Sequence, residues 1–381
     1  MKNFFATIIF FLIVVMNLSA QAAGEPKILA DSAILVEATT GRIIYEKNAD
    51  AEREPASMTK MLTCILALEK LNPLEEITMS QAAVTTEDNT LNWTVGDSVS
   101  ARDMVTAVML VSENGGAVAL AQAVAGSTSE FADMMNDKAK VIGCKDSHFV
   151  NPNGLPNSNH YSTAADMARI AVYCMKNSEF REVVGTRRTS IRWIRPKEKW
   201  AELNNTNELL GKYKGANGVK TGWTTAAGGC LAASAKRGEV ELIAVVMHSP
   251  DHDTRFDDAA ALFNYGFERV RMVDGIESER TEKTVFVQGG KQATLRVGLE
   301  ENLNFPLMAG EDPKLLKVTY DLPKIVDASK GIRAGEILGE AVLNYNGKPV
   351  ARRPLVARED VSEGFSLGSL FVSLAAPFFD E

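Results

Sequence analysis

The apolar positions of this 381-residue chain change their period several times, and the changes divide it. Phe4 to Leu18 is an almost unbroken apolar run behind the charged start Met1-Lys2, and Ala20-Gln21-Ala22 follows. The run is short for a bilayer span of roughly 20 residues. Charged start, apolar stretch and small-residue site together predict a secretory signal over residues 1–23, and hence an exported protein. Ala33 to Val36 and Arg42 to Tyr45 read as strands of a hairpin around Thr39-Thr40-Gly41. From Pro55 to Lys70 the spacing becomes helical, with Met61, Leu62, Ile65, Leu66 and Leu68 as apolar positions. Asp103 to Val124 reads as helix interrupted at 113–116. Glu130 to Val141 and Thr163 to Met175 read as amphipathic helices. Strands are expected at Cys230–Ala235 and Val240–Met247, then a helix over Phe256–Phe267. Strands at both ends with helices between them predict an α+β unit over 24–275, its sheet assembled from the two chain ends.

After about Val273 the pattern becomes short and alternating, as in Thr284-Val285-Phe286-Val287 and Thr294-Leu295-Arg296-Val297. Gly289-Gly290 and Asn346-Gly347 are hairpin-type turns. A small all-β domain over 280–358 is expected. In the tail, 362–381, a helical wheel puts Ser362, Ser366, Ser369 and Ser373 on one stripe. Leu367, Leu370, Phe371, Leu374 and Phe378 gather opposite. The segment is too short and serine-rich to span a bilayer, so an in-plane helix at a membrane surface is expected, with packing on the protein as the alternative.

Composition narrows the function classes. At 45% hydrophobic the chain can bury a sizeable core, and a net charge of −8 without a basic run argues against nucleic acid as a partner. Cys64, Cys144, Cys174 and Cys230 are widely spaced with no C-x-x-C, so neither zinc nor a thioredoxin motif is indicated. Cys64 and Cys174 read as buried thiols, and a Cys144–Cys174 bridge stays open. The four histidines do not group into a metal site, and no cofactor is expected.

Three short motifs carry chemistry. In Ser57-Met58-Thr59-Lys60, positions i and i+3 share a helix face, so the amine lies beside the hydroxyl. A serine needs such a base, and lysine serves only when burial or a second cation keeps it neutral. Ser112-Glu113-Asn114 follows the apolar run Val105 to Val111 and puts a hydroxyl and an amide in a helix break. Gly218-Val219-Lys220-Thr221-Gly222-Trp223 reads as a strand offering a fixed cation, a hydroxyl and close backbone approach at Gly222. Singly, each is ordinary: a helix cap, a helix end, a strand edge.

Together and in this order, S-x-x-K, S-x-N and K-T-G are the motif set of β-lactamases and penicillin-binding proteins. With Phe149 to Leu155, Ala165 to Ala168 and Leu262 to Phe267, the chain resembles low-molecular-mass D-alanyl-D-alanine carboxypeptidases over nearly its whole length. The resemblance implies a β-lactamase/DD-peptidase-like catalytic domain, an antiparallel sheet with helices, ahead of the β domain. It implies removal of the terminal D-alanine from peptidoglycan stem pentapeptides, with β-lactams as covalent inhibitors. Ser57 would be the nucleophile and Lys60 its base. Ser112 and Lys220 would pass a proton to the leaving group, and Asn114 would orient the substrate amide. The backbone N–H groups of Ser57 and Trp223 would hold the oxyanion, while Thr221 and Arg255 would bind the terminal carboxylate. For Arg255 the residues alone leave open an exposed helix-start arginine. The family usually has glycine at position 113 and histidine or tyrosine at 223. Glu113 is therefore expected to add a carboxylate beside the cleft. The alternatives are a catalytically weakened wall-binding or scaffold protein, a DD-endopeptidase and a β-lactamase.

Overall fold

The computed structural model describes residues 24–278 and 282–375. The expected signal over 1–23 and the end of the tail lie outside them. β1 (Ser32–Glu37) and β2 (Ile43–Lys47) form a hairpin, and a tight turn at Ala56–Thr59 runs into α1 (Lys60–Lys70). The ribbon of β3 (Glu76–Thr78) and β4 (Ser98–Ser100) brackets α2 (Gln81–Val84). The helical half continues with α3 (Ala101–Leu110), α4 (Asn114–Ala125), α5 (Thr128–Ile142), α6 (Ala164–Cys174) and α7 (Ser178–Gly185). A hairpin of β5 (Arg188–Arg192) and β6 (Trp200–Asn204) leads to β7 (Ala216–Thr224), β8 (Gly228–Arg237), β9 (Val240–Ser249) and α8 (Thr254–Arg269).

The main sheet is antiparallel with order β2-β1-β9-β8-β7, so the two chain ends meet in its middle. Both faces are covered. Ile34, Val36, Ile243 and Val245 enter the core under α1, α3, α4 and α6, while Ala33, Leu35, Leu242 and Ala244 enter the core under α8. Alternate residues of a strand point to opposite faces. With apolar cover on both, β1 and β9 read as solid hydrophobic runs rather than alternating ones.

The C-terminal unit opens with β10 (Val270–Ile276), β11 (Lys283–Gln288), β12 (Thr294–Gly298) and β13 (Leu303–Met308). It continues with β14 (Leu316–Asp321), β15 (Ile325–Asp327), β16 (Ile337–Tyr345) and β17 (Lys348–Ala357). β10 pairs with β13, and the other strands form a sheet of order β14-β16-β17-β12-β11-β15 over a core of its own. Asn346 and Gly347 turn β16 into β17 with φ of +49° and +75°, the left-handed pair that a two-residue hairpin requires. At the seam between units, the Arg42 guanidinium donates to the Pro306 carbonyl at 2.7 Å, pairs with Glu311 and lies over Phe305.

The tail helix α9 (Leu367–Ala375) sits against β11 with Ser369 and Val372 buried. Ser366 and Ser369 bond to each other. Phe365, Leu367 and Phe371 are 83%, 91% and 75% exposed, so Ser369 and Val372 face the protein while these three face out. Ser373, Leu374 and Phe378 fall outside the described side chains. Among the described residues no helix is long and apolar enough to cross a membrane. All four cysteines are free, so the Cys144–Cys174 bridge does not form. Burial pushes the Cys64 and Cys144 thiols up to about 12 and Cys230 up to about 11, which keeps them protonated.

Candidate active site

The three motifs converge on one cleft between the main sheet and the helical half. Ser57, Ser112, Asn114, Thr221, Gly222, Trp223 and Arg255 all line a cavity of about 790 Å³. Ser57 does not sit in a regular α-helix as the spacing predicted. Ala56, just before it, has φ of +47°, and α1 begins only at Lys60. The tight turn still puts the two side chains together, with Lys60 Nζ 2.7 Å from Ser57 Oγ.

Lys60 is fully buried, and its Nζ also lies 2.7 Å from Asn114 Oδ1 and 2.7 Å from the Asn153 carbonyl. Burial first, then the nearby Lys220 cation, hold its pKa well below the ordinary lysine value. A neutral amine has two protons and one lone pair. In that form Asn114 Oδ1 and the Asn153 carbonyl would accept its two protons, and the lone pair would face the Ser57 hydroxyl. Asn153 belongs to the Asn151–Gly154 turn, read from sequence only as turn chemistry. Gly154 is obligatory there: it has φ of +82°, and a Cβ would stand 1.9 Å from the Ala56 carbonyl oxygen. His160 fixes the other side. The Val150 N–H donates to its Nδ1, so its Nε2–H faces Thr59 Oγ1 at 2.8 Å. Burial lowers its pKa to about 4.

Ser112 occupies the left-handed region at φ of +64°, a strained place for a residue with a Cβ. The kink ends α3 at Leu110 and starts α4 at Asn114, a little before the interruption read from sequence. Gly115 and Gly116 lie inside α4 because they fit close packing. A Cβ on Gly115 would meet the Ala83 carbonyl oxygen at 2.4 Å, and one on Gly116 would meet Met104 and Val108 at 2.9 Å. Glu113 does not line the cavity, but its buried carboxyl lies close enough to Lys60 for the two charges to act on each other. Glu113 is fully buried, and its Oε2 accepts from the Leu91 N–H at 3.2 Å. Its Oε1 has no hydrogen-bond partner, and neither does Trp93 Nε1. Burial raises its carboxyl to about 7.

β7 forms the opposite wall. A Cβ on Gly222 would stand 3.1 Å from the Ser57 backbone nitrogen, so this strand approaches the nucleophile at contact distance. Lys220 is buried, donates to the Thr221 carbonyl at 2.9 Å and is lowered to about 7, chiefly by burial. Thr221 Oγ1 lies 2.7 Å from Thr206 Oγ1. Arg255 is buried too, which removes the exposed helix-start alternative. It donates to the Gly222 carbonyl at 2.7 Å and touches His252 Nδ1 at 3.3 Å, while its Nε is unpartnered. Trp223 stacks on His252 at 4.1 Å between centroids. A serine beside a buried amine of lowered pKa, with Lys220 and Arg255 buried nearby and in no ion pair among the described residues, suits acyl transfer from an amide that ends in a carboxylate.

The family model described as D-alanyl-D-alanine carboxypeptidase (peptidase S11) matches residues 19–251. The chain belongs to the D-alanyl-D-alanine carboxypeptidase family. A second model, the C-terminal domain of penicillin-binding protein 5, matches residues 273–363. Among curated carboxypeptidases of this family, DacF of Bacillus subtilis is 32% identical over 88% of this chain and 86% of its own. Penicillin-binding protein 5 of Haemophilus influenzae is similar in structure, with TM-score 0.69 and 27% identity over 89% of this chain and 99% of that one. The Streptomyces K15 DD-transpeptidase is 33% identical with TM-score 0.61, covering 64% of this chain and 98% of its own. That shorter relative matches a catalytic unit alone, whereas this carboxypeptidase carries the β-rich unit as well.

From sequence, the motif residues of this carboxypeptidase site were legible, while its supports were not. Asn153, His160, His252 and Thr206 lie in turns without periodicity, and only the Asn-Pro-Asn-Gly run gave any signal.

Proposed function

We propose that this carboxypeptidase removes the terminal D-alanine of peptidoglycan stem pentapeptides through an acyl-enzyme on Ser57. The observation that carries the reading is the buried Lys60 Nζ, within 2.7 Å of Ser57 Oγ, Asn114 Oδ1 and the Asn153 carbonyl. Lys60 takes the Ser57 proton as Oγ attacks the D-Ala–D-Ala carbonyl. Backbone N–H groups of Ser57 and Trp223 receive the oxyanion. Ser112 and Lys220 return the proton to the departing amine, the C–N bond breaks, and D-alanine leaves. Water then cleaves the ester. Thr221 and Arg255 hold the terminal carboxylate, and Asn114 orients the peptide amide. A β-lactam presents the same amide and stays attached to Ser57. The chain acts outside the cytoplasmic membrane, exported by residues 1–23, and the outward Phe365, Leu367 and Phe371 rest on the membrane surface.

Labelled penicillin and a diacetyl-Lys-D-Ala-D-Ala peptide test this. The wild type forms a long-lived adduct and releases D-alanine, and Ser57→Ala does neither while keeping its fold. Labelling that survives in Ser57→Ala removes the assigned nucleophile. Rapid penicillin turnover favours the β-lactamase, and a wild type inert in both assays favours the scaffold.

A further inference from the structure

The hairpin of β5 and β6 leaves the cleft and has no part in the chemistry above. Its register pairs Arg188 with Asn204, Ser190 with Glu202 and Arg192 with Trp200. These six residues are exposed, while Ile191 and Leu203 between them are buried. Asn204 lines the catalytic cleft. It also lines, with Asn205 and Glu208, an adjoining groove that contains Arg187 and Arg188. One face therefore starts at the cleft edge and runs outward to Trp200.

Two features of that face call for a ligand. Trp200 is 61% exposed, and its indole stacks on no ring or cation among the described residues. An exposed indole offers a flat apolar face on which a ring can stack. Arg192 stands opposite it in the register, and Arg187 and Arg188 stand at the other end of the face beside Asn204, in a chain of net charge −8. Arg188 pairs with Glu202, while Arg187 and Arg192 have no carboxylate partner among the described residues. From Asn204 to Trp200 the strand covers about 13 Å at ~3.4 Å per residue. The four residues upstream of the cleaved bond in an extended pentapeptide span ~14 Å, and the amino sugars continue beyond them.

We infer that the outer face of this hairpin, with Trp200 at its far end, binds the upstream part of a polymeric substrate: acidic stem peptide, then amino sugar. The inference rests on the carboxypeptidase reading and adds where the rest of the substrate lies. Carboxylates of the stem pair with Arg188 and Arg192, and a pyranose face stacks on the indole. Continuity with the cleft and complementary charge both favour this occupant over a separate partner.

Three substrates test it: diacetyl-Lys-D-Ala-D-Ala, a free stem pentapeptide and a disaccharide-pentapeptide. Trp200→Ala is expected to lower kcat/KM about 10-fold on the disaccharide-pentapeptide alone, through KM. Arg188→Ala/Arg192→Ala is expected to do so on both pentapeptides, with the short peptide unchanged in every case. Wild-type values throughout, or equal losses on the short peptide, overturn the proposal. If the wild type turns over no substrate, the carboxypeptidase reading fails. Calorimetric binding of the disaccharide-pentapeptide to wild type and Trp200→Ala then decides the surface separately: weaker binding to the variant supports it, and equal or absent binding overturns it.

Discussion

Glu113→Gln isolates the energetic effect of an acid buried between two motif residues. The carboxyl is fully buried, holds one backbone N–H and rises from its ordinary 4.5 to about 7 because burial penalises the charged form. The unfolded chain ionises this group near 4.5, whereas the folded protein keeps its proton until about 7. Between those values the native state binds the extra proton, so stability falls as pH rises and levels off above 7. The interval corresponds to roughly 3 kcal/mol. Glutamine keeps the shape and an acceptor for Leu91 without a charge to bury. The wild type is therefore expected to lose about 3 kcal/mol relative to Glu113→Gln between pH 5 and pH 8.5. Urea unfolding followed by tryptophan emission reads this directly, since Trp93, Trp193, Trp200 and Trp223 all lie in the catalytic unit. The difference between the two proteins cancels other titrating groups. A difference that stays constant across this range refutes the reasoning.

Lys220, lowered to about 7, loses its cation as pH rises through that value, so kcat/KM should show a descending limb near pH 7. In Lys220→Arg the limb should move above pH 9. Gly222→Ala places a Cβ 3.1 Å from the Ser57 nitrogen and is expected to slow acylation about 100-fold, read by stopped-flow penicillin binding. His160, lowered from 6.5 to about 4, supports the fold above 6.5 and withdraws that support as pH falls toward 4. His160→Gln should flatten that acid limb in thermal melts while leaving the pH 8 melting temperature within a few degrees.

The strands and helices that bury apolar surface could be read from sequence because burial sets their period. β1, β9, α5 and α6 lie within two or three residues of their expected positions. The hairpin β5–β6 could not be read, since its outward face mixes charged, polar and aromatic residues and only Ile191 and Leu203 are buried. Within the site, Ser57, Lys60, Ser112, Asn114 and Lys220 stood out because motif spacing survives any fold. The burial of Glu113 and the left-handed φ at Ser112 did not, because nothing in a Ser-Glu-Asn run announces either.

The strand order of the main sheet also governs when the catalytic unit can exist at all. β1 lies between β2 and β9, and its partner in β9 is roughly 200 residues away along the chain. Any fragment that stops before Val240 lacks the strand joining β1 to β8, and both apolar faces of β1 then have only half their cover. Assembly is thus a late, long-range event, slow compared with local helix formation. A chain emerging amino end first stays open until almost the whole unit is available. Ser57 and Lys60 are made early, but they meet the strand that completes their cleft only at the end.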